Sequence, residues 1–269
     1  MSARSVEPSC FAGASAEWLA GAGGLRNTVR QELVARQLEE QISARYPVGQ
    51  RLRVLDVGMG QGTQALRLAR AGHTVTGLES DAAMLKAARE SLAGEPAGIR
   101  ERVRLIEGDG RDTGVHFLPG SFDVVLCHGV LMYVAEADAM LAGLARMLAP
   151  GGLLSLLVRN GDALAMRPGL AGDWSAARSA FDTEMYTNRL GLTVRADRLA
   201  ALTETLEGIN APLHAWYGVR VFTDSVGNDV ELPSAEELHQ LLSVEERAGR
   251  TDPYRRVAAL LHLCGVRRA

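Results

Sequence analysis

Short apolar runs and amphipathic stretches exchange places along most of the chain. RVLDV, Arg53 to Val57, is an apolar run closed by the glycine cluster GMGQG, as expected of a buried parallel strand that ends in a turn. TQALRLARAG follows, with Ala65, Leu66 and Ala69 at helical spacing and a stop at Gly72, and HTVTGLE then supplies a second strand, Thr74 to Glu79. The exchange recurs as a helix over Ala82 to Leu92, strands over Val103 to Glu107 and Phe122 to Cys127, a helix over Ala137 to Leu148, and a strand over Leu153 to Val158. Between the last two, LAPGG predicts a turn, because Pro150 stops the helix and Gly151 and Gly152 accept the reversal.

Three segments fall outside this alternation. Ala14 to Tyr46 carries Leu25, Val29, Leu33, Val34 and Leu38 as a helical apolar stripe, which predicts an N-terminal helical cap over residues 1–50 ahead of a main domain over 51–269. Asn160 to Leu190 has little periodicity, and such a length predicts a lid-like insertion, residues 160–190, that covers a site. The last part reads as an alternating strand HAWYGVRVF, a helix near Ala235 to Arg247 and the strand LLHLCGV, an antiparallel pair at a sheet edge. The strand pattern sets Tyr217, Val219 and Val221 on one face and Gly218 and Arg220 on the other. The expected fold is therefore α/β, a doubly wound, mostly parallel seven-stranded sheet.

Composition narrows the class. The 269 residues are 47% hydrophobic and carry 29 Lys plus Arg against 32 Asp plus Glu, a formal net charge of -3. Disorder and fibrous repeats are excluded, and no strong whole-protein field favours nucleic acid. Cys10, Cys127 and Cys264 have no spacing that holds zinc, so no metal is expected. No apolar run approaches the ~18 residues of a membrane span. Glu7 and Pro8 stand where a signal peptide needs an apolar core. The expected protein is reduced, cytoplasmic and not associated with a membrane.

The glycine cluster carries the chemistry. A dinucleotide loop reads G-x-G-x-x-G/A, whereas Gly58, Gly60 and Gly62 here read G-x-G-x-G, with Thr63 where the third small residue belongs. Asp56 would repel a pyrophosphate and suits a cationic ligand, either directly or by accepting loop amide hydrogen bonds. Glu79, ending the second strand, can take two ribose hydroxyls bidentately, and Asp109 beside Gly110 in EGDG can meet an adenine amino group or leave that to the backbone. These features point to S-adenosyl-L-methionine, with its product S-adenosyl-L-homocysteine, and they place Met59 and Ser80 beside it as neighbours of the loop and of Glu79.

Taken together, VLDVGMGQG, the acid of GLE, EGDG, FDVVLC and LAPGG resemble class I S-adenosylmethionine-dependent methyltransferases over Leu52 to Val158. GGLRNTVRQ, HGVLMYV, LVRN, GLAGDW, GVRVF and DPYRR extend a narrower resemblance to bacterial tRNA 5-carboxymethoxyuridine methyltransferases. That resemblance implies methylation of a carboxylate on a modified wobble uridine of tRNA, with Arg26 and His128 contacting the cofactor. Glu79 departs from the aspartate usual there. From the residues alone, His128 is equally a satisfied strand-end histidine. Arg220 is either a solvated strand arginine or a planar fork that clamps the acceptor carboxylate. A carboxylate is ionised at neutral pH and needs no general base. The other reading is a small-molecule O-methyltransferase acting on a metabolite.

Overall fold

Val54, Leu55 and Val57 are fully buried, as a strand covered on both faces requires, and β1 (Arg53–Val57) accordingly lies in the middle of the sheet. The computed structural model describes residues 11, 13–227 and 230–269; Glu7, Pro8 and Cys10 lie outside them. Helices α1 (Ser15–Ala20) and α2 (Leu25–Arg45) precede β1, and α3 (Thr63–Arg70) links it to β2 (Thr74–Glu79). Next come α4 (Ala82–Ala93), α5 (Ala97–Arg100), β3 (Val103–Glu107), α6 (Thr113–His116), β4 (Phe122–His128), α7 (Ala137–Met147) and β5 (Leu148–Arg159). The remainder runs through α8 (Met166–Leu170), α9 (Trp174–Ser179), a hairpin of β6 (Met185–Thr187) and β7 (Thr193–Arg195), α10 (Leu199–Gly208), β8 (Leu213–Val219), α11 (Ala235–Ala248) and β9 (Leu260–Val266).

The seven-stranded sheet has the order β3-β2-β1-β4-β5-β9-β8. Strands β1 to β5 are parallel, and β9 is antiparallel to both of its neighbours. This is the α/β, doubly wound, mostly parallel sheet that the alternation predicts. The strand order reverses between β1 and β4, and in such sheets ligands bind where the carboxyl ends diverge.

The apolar stripe of α2 is buried throughout, and Leu25, Val29, Leu33 and Val34 share one cluster with Leu157, Val219, Leu242 and Leu260. The same face carries two buried amides. The Gln41 side-chain amide donates to the Tyr217 hydroxyl at 2.6 Å, and Gln37 reaches His262. Helix α2 thus lies directly on the sheet.

Four details differ from the pattern. LAPGG lies inside β5: Leu148 pairs with Phe122 and Leu153 with Val124, so four residues stand opposite the single Asp123. A bulge of this kind tolerates Pro150, whose missing N–H no longer interrupts a ladder. Gly152 is required there, since a Cβ would lie 2.8 Å from the Ala149 carbonyl oxygen. Helix α10 was invisible in the alternation, because only Leu202 and Leu206 of its ten residues are buried. The segment after β5 is a series of short helices and a hairpin, whose second strand falls beyond residue 190. Finally, β8 stops at Val219 rather than Phe222, and Arg220 adopts φ 61°, so Val221 leaves the face of Tyr217 and Val219.

Glu245 on α11 explains that stop. Its buried carboxylate accepts the backbone N–H groups of Val221 at 2.7 Å, Phe222 at 3.0 Å and Thr223 at 2.9 Å, together with the Thr223 hydroxyl at 2.7 Å. These amides turn towards a charged acceptor instead of a neighbouring strand. Glu245→Gln keeps the volume but loses an acceptor oxygen, so denaturant unfolding should show a loss of about 1.5–3 kcal/mol. An unchanged midpoint would remove Glu245 as the cause of the turn.

Candidate active site

Gly58, Gly60 and Gly62 have φ of 64°, 60° and 83°, a left-handed conformation that favours glycine. They do different things. A Cβ on Gly58 would lie 2.3 Å from a Val130 methyl, so this position is fixed by packing, whereas Gly60 faces open space in the cavity above the strand ends. The Gly58 amide donates to the Leu78 carbonyl at 2.8 Å, which ties the loop to β2. Met59 turns its side chain against Gly77, Leu85 and Ala88.

Two acids end the neighbouring strands β1 and β2. Glu79 is 7% exposed, and its two carboxylate oxygens accept the Gly60 amide at 2.8 Å and the Asp81 amide at 2.9 Å. Each oxygen keeps a lone pair for a further donor. Burial raises the Glu79 pKa against the opposing pull of these amides. Asp56 is 3% exposed, and no hydrogen bond to its carboxyl comes from the described residues. Burial, reinforced by Glu79, pushes its pKa up to about 7. A desolvated carboxyl without a donor is a place for a cationic group.

Ser80, Asp109, Gly110 and His128 line the same cavity. The Asp109 carboxylate is already held by the Arg111 guanidinium at 2.6 Å, which lowers its pKa despite partial burial. A Cβ on Gly110 would lie 2.4 Å from a Val57 methyl, so Gly110 is there for close packing of the backbone. The donor set fits S-adenosylmethionine: paired acceptors at Glu79 for a diol, a donor-free carboxyl at Asp56 for an ammonium, and open space at Gly60.

Arg26 and Arg220 stand elsewhere, in a second cavity that shares Trp18, Arg30, Gly129, Met132, Tyr133 and Leu157 with the first. Among the described residues six arginines line it, at 26, 30, 159, 167, 189 and 220, together with one acid, Glu17. Behind them the Asp224 carboxylate meets Arg159 at 3.1 Å, Arg220 at 3.2 Å and Arg26 at 3.5 Å. Burial opposes its ionisation, but Arg220 and Arg159 outweigh that and hold the carboxyl well below its usual range. Conversely, burial and then Arg220 lower Arg26 to about 9 and Arg30 to about 10. By formal charge the six count as cations. With Glu17 and Asp224 counted against them they leave four positive charges, an environment for an anion.

Sequence reasoning missed Arg30, Arg159, Arg167, Arg189, Tyr186 and Asp224. Arg159 stacks its guanidinium over Tyr186 at 5.3 Å. Apart from LVRN, none of them stands in a recognisable spacing, and only the fold brings these segments together.

Two measurements test this geometry. Since an ammonium needs the ionised Asp56, S-adenosylhomocysteine affinity by calorimetry should rise up to about tenfold per pH unit below 7 and level off above it. Asp56→Asn should bind more weakly and without that slope. Glu79→Ala should lose at least about tenfold in the same affinity, given about 1.5–3 kcal/mol per charge-assisted hydrogen bond. Unchanged binding would demote Glu79 to a loop-holding residue.

Residues 55–156 match a family model described as a methyltransferase domain. The chain is 29% identical over 244 residues to a tRNA 5-carboxymethoxyuridine methyltransferase of Escherichia coli O157:H7, covering 90% of this chain and 89% of the relative. A ubiquinone biosynthesis O-methyltransferase of Xanthomonas axonopodis pv. citri is 34% identical over 134 residues, half of each chain. Among solved structures, magnesium protoporphyrin IX methyltransferase from Synechocystis PCC 6803 with bound S-adenosylhomocysteine superposes with a TM-score of 0.61 at 16% identity, covering 96% of both chains. With the methyltransferase domain lying on a sheet of this order, the chain is an S-adenosylmethionine-dependent methyltransferase with a Rossmann-like fold.

Proposed function

We propose that the enzyme methylates a carboxylate oxygen, and that this carboxylate belongs to a modified wobble uridine of tRNA. The observation that carries the reading is the arginine-lined cavity sharing a wall with the glycine-loop cavity. When bound, the cofactor supplies a methyl group on a positively charged sulfur. A carboxylate acceptor, already ionised, would take that group directly, so what falls to this chain is to hold one of its oxygens in line. No proton moves, so the chain need only bind, orient and exclude water. His128 is buried and held neutral, its pKa lowered well below the usual value by burial and then by His262 and Arg30. A base is not required of it.

In this reading Asp56, Gly58, Met59, Gly60, Glu79, Ser80, Asp109, Gly110 and His128 form the cofactor's surroundings, with Arg26 reaching it from the adjoining cavity. Arg220 is the carboxylate clamp. Its guanidinium is oriented by Asp224, and its buried Nε has no partner among the described residues. Tyr186, Asn188 and Arg189 bring the insertion to the cavity rim as a lid. The tRNA reading is supported by the reach of the Escherichia coli similarity over nine-tenths of the chain, against one half for the ubiquinone enzyme.

Nucleoside mass spectrometry of tRNA from a strain lacking the gene should show the methyl ester of 5-carboxymethoxyuridine replaced by the free acid. Unchanged tRNA would transfer the activity to a small-molecule carboxylate. Arg220→Lys should raise the acceptor KM about tenfold, because a point charge replaces a fork, and should leave S-adenosylhomocysteine affinity within about twofold. At saturating cofactor, kcat should stay flat from about pH 6 to 8. A climb approaching tenfold per pH unit would indicate an acceptor that must lose a proton.

A further inference from the structure

A line of four polar side chains crosses the buried sheet behind the glycine-loop cavity. It starts on α2, where the Gln37 side-chain carbonyl lies 2.8 Å from His262 Nδ1 on β9. His262 Nε2 lies 2.8 Å from the Ser155 hydroxyl on β5, and that hydroxyl lies 2.8 Å from His128 Nε2 at the end of β4. Gln37, Ser155 and His262 are completely buried among apolar strands. A polar chain in such a place is conspicuous, because each unmet member costs about 1–3 kcal/mol.

The end groups set its direction. A carbonyl oxygen only accepts, so His262 carries its proton on Nδ1 and leaves Nε2 as an acceptor. Burial drives the His262 pKa down to about 3, so the ring is neutral. The Cys264 thiol, pushed up to about 12 by burial and therefore protonated, approaches the same Nε2 at 3.8 Å, consistent with an acceptor. Ser155 then donates to His262 and accepts from His128, whose proton must sit on Nε2. Two buried nitrogens of the line have no partner among the described residues, Gln37 Nε2 at the far end and His128 Nδ1, the latter in a side chain that lines the cavity. Val57 and Cys127 are register partners on neighbouring strands, which sets Asp56 and His128 at the same end of the sheet.

We propose that Gln37, His262 and Ser155 are positioning residues that lock His128 as its Nε2–H tautomer, so that the Nδ1 lone pair accepts a hydrogen bond from the ammonium of the cofactor's amino-acid moiety. The proposal rests on the glycine-loop cavity being the cofactor's. A histidine free to carry its proton on either nitrogen would present a donor to that ammonium part of the time. The relay removes that state before any ligand arrives.

Long-range nitrogen–proton NMR on ligand-free, ¹⁵N-histidine-labelled enzyme reads the tautomer directly. His128 is expected with a protonated Nε2 and a bare Nδ1; the opposite tautomer overturns the proposal. Ser155→Ala should convert His128 to a mixture, and Ser155→Thr, which keeps the hydroxyl, should restore it. By calorimetry, Ser155→Ala should weaken S-adenosylhomocysteine about fivefold, while methylthioadenosine, which lacks the amino-acid moiety, should bind within about twofold of wild type. Equal losses for both ligands would make the chain merely structural. If Ser155→Ala does not fold, Gln37→Leu tests the far end, with the same mixed tautomer expected and an unchanged His128 spectrum counting against the relay. Failure of the wild-type enzyme to bind either ligand would instead sink the cofactor assignment, and the tautomer would still be readable.

Discussion

Three guanidinium groups share the Asp224 carboxylate, and the arginine-lined cavity depends on that arrangement. Like charges brought together away from water repel strongly. Asp224 sits behind Arg26, Arg159 and Arg220, offsetting part of the repulsion without neutralising it. Its own position depends in turn on Glu245, which gathers the amides of residues 221–223 and sets the turn between Arg220 and Asp224. One buried acid shapes the turn and the next one orients the arginines.

The two cavities are electrostatic opposites across a shared wall. The glycine-loop side holds Asp56 and Glu79, whose burial raises their pKa and which suit a ligand carrying positive charge and hydroxyl groups. The other side holds excess positive charge and suits an anion. Arg30 belongs to both linings and His128 lies near it, kept neutral by burial and then by His262 and Arg30. A neutral ring on that boundary adds charge to neither side.

Legibility in the sequence followed chain distance. The β1–loop–β2 unit could be read residue by residue, because strand, three left-handed glycines and terminal acid lie within the 27 residues from Arg53 to Glu79. The arginine cavity could not, since its members come from α2, the end of β5, the insertion and the turn after β8. Arg220 shows the physical reason. Alternation treated it as a strand residue, but the strand ends one position earlier because a side chain on α11 outcompetes a neighbouring strand for the next three amides. LAPGG was read correctly as a place where helix gives way to strand and wrongly as a gap between them. Bulge and turn call for the same residues.

The place of β9 between β5 and β8 has a kinetic side. Leu153 and Val266 are register partners across more than a hundred residues, and β8 has no other neighbour in the sheet. Closing so long a loop is slow compared with forming the successive parallel units from β1 to β5. Leu260 also lines the arginine cavity, and the Ala259 amide holds the Arg220 carbonyl at 3.1 Å. The glycine-loop half of the molecule can therefore form early, while the anion cavity exists only once the most distant strand has docked. The order of folding then has the glycine loop in place before the arginine cavity beside it and before the His262 contact behind His128.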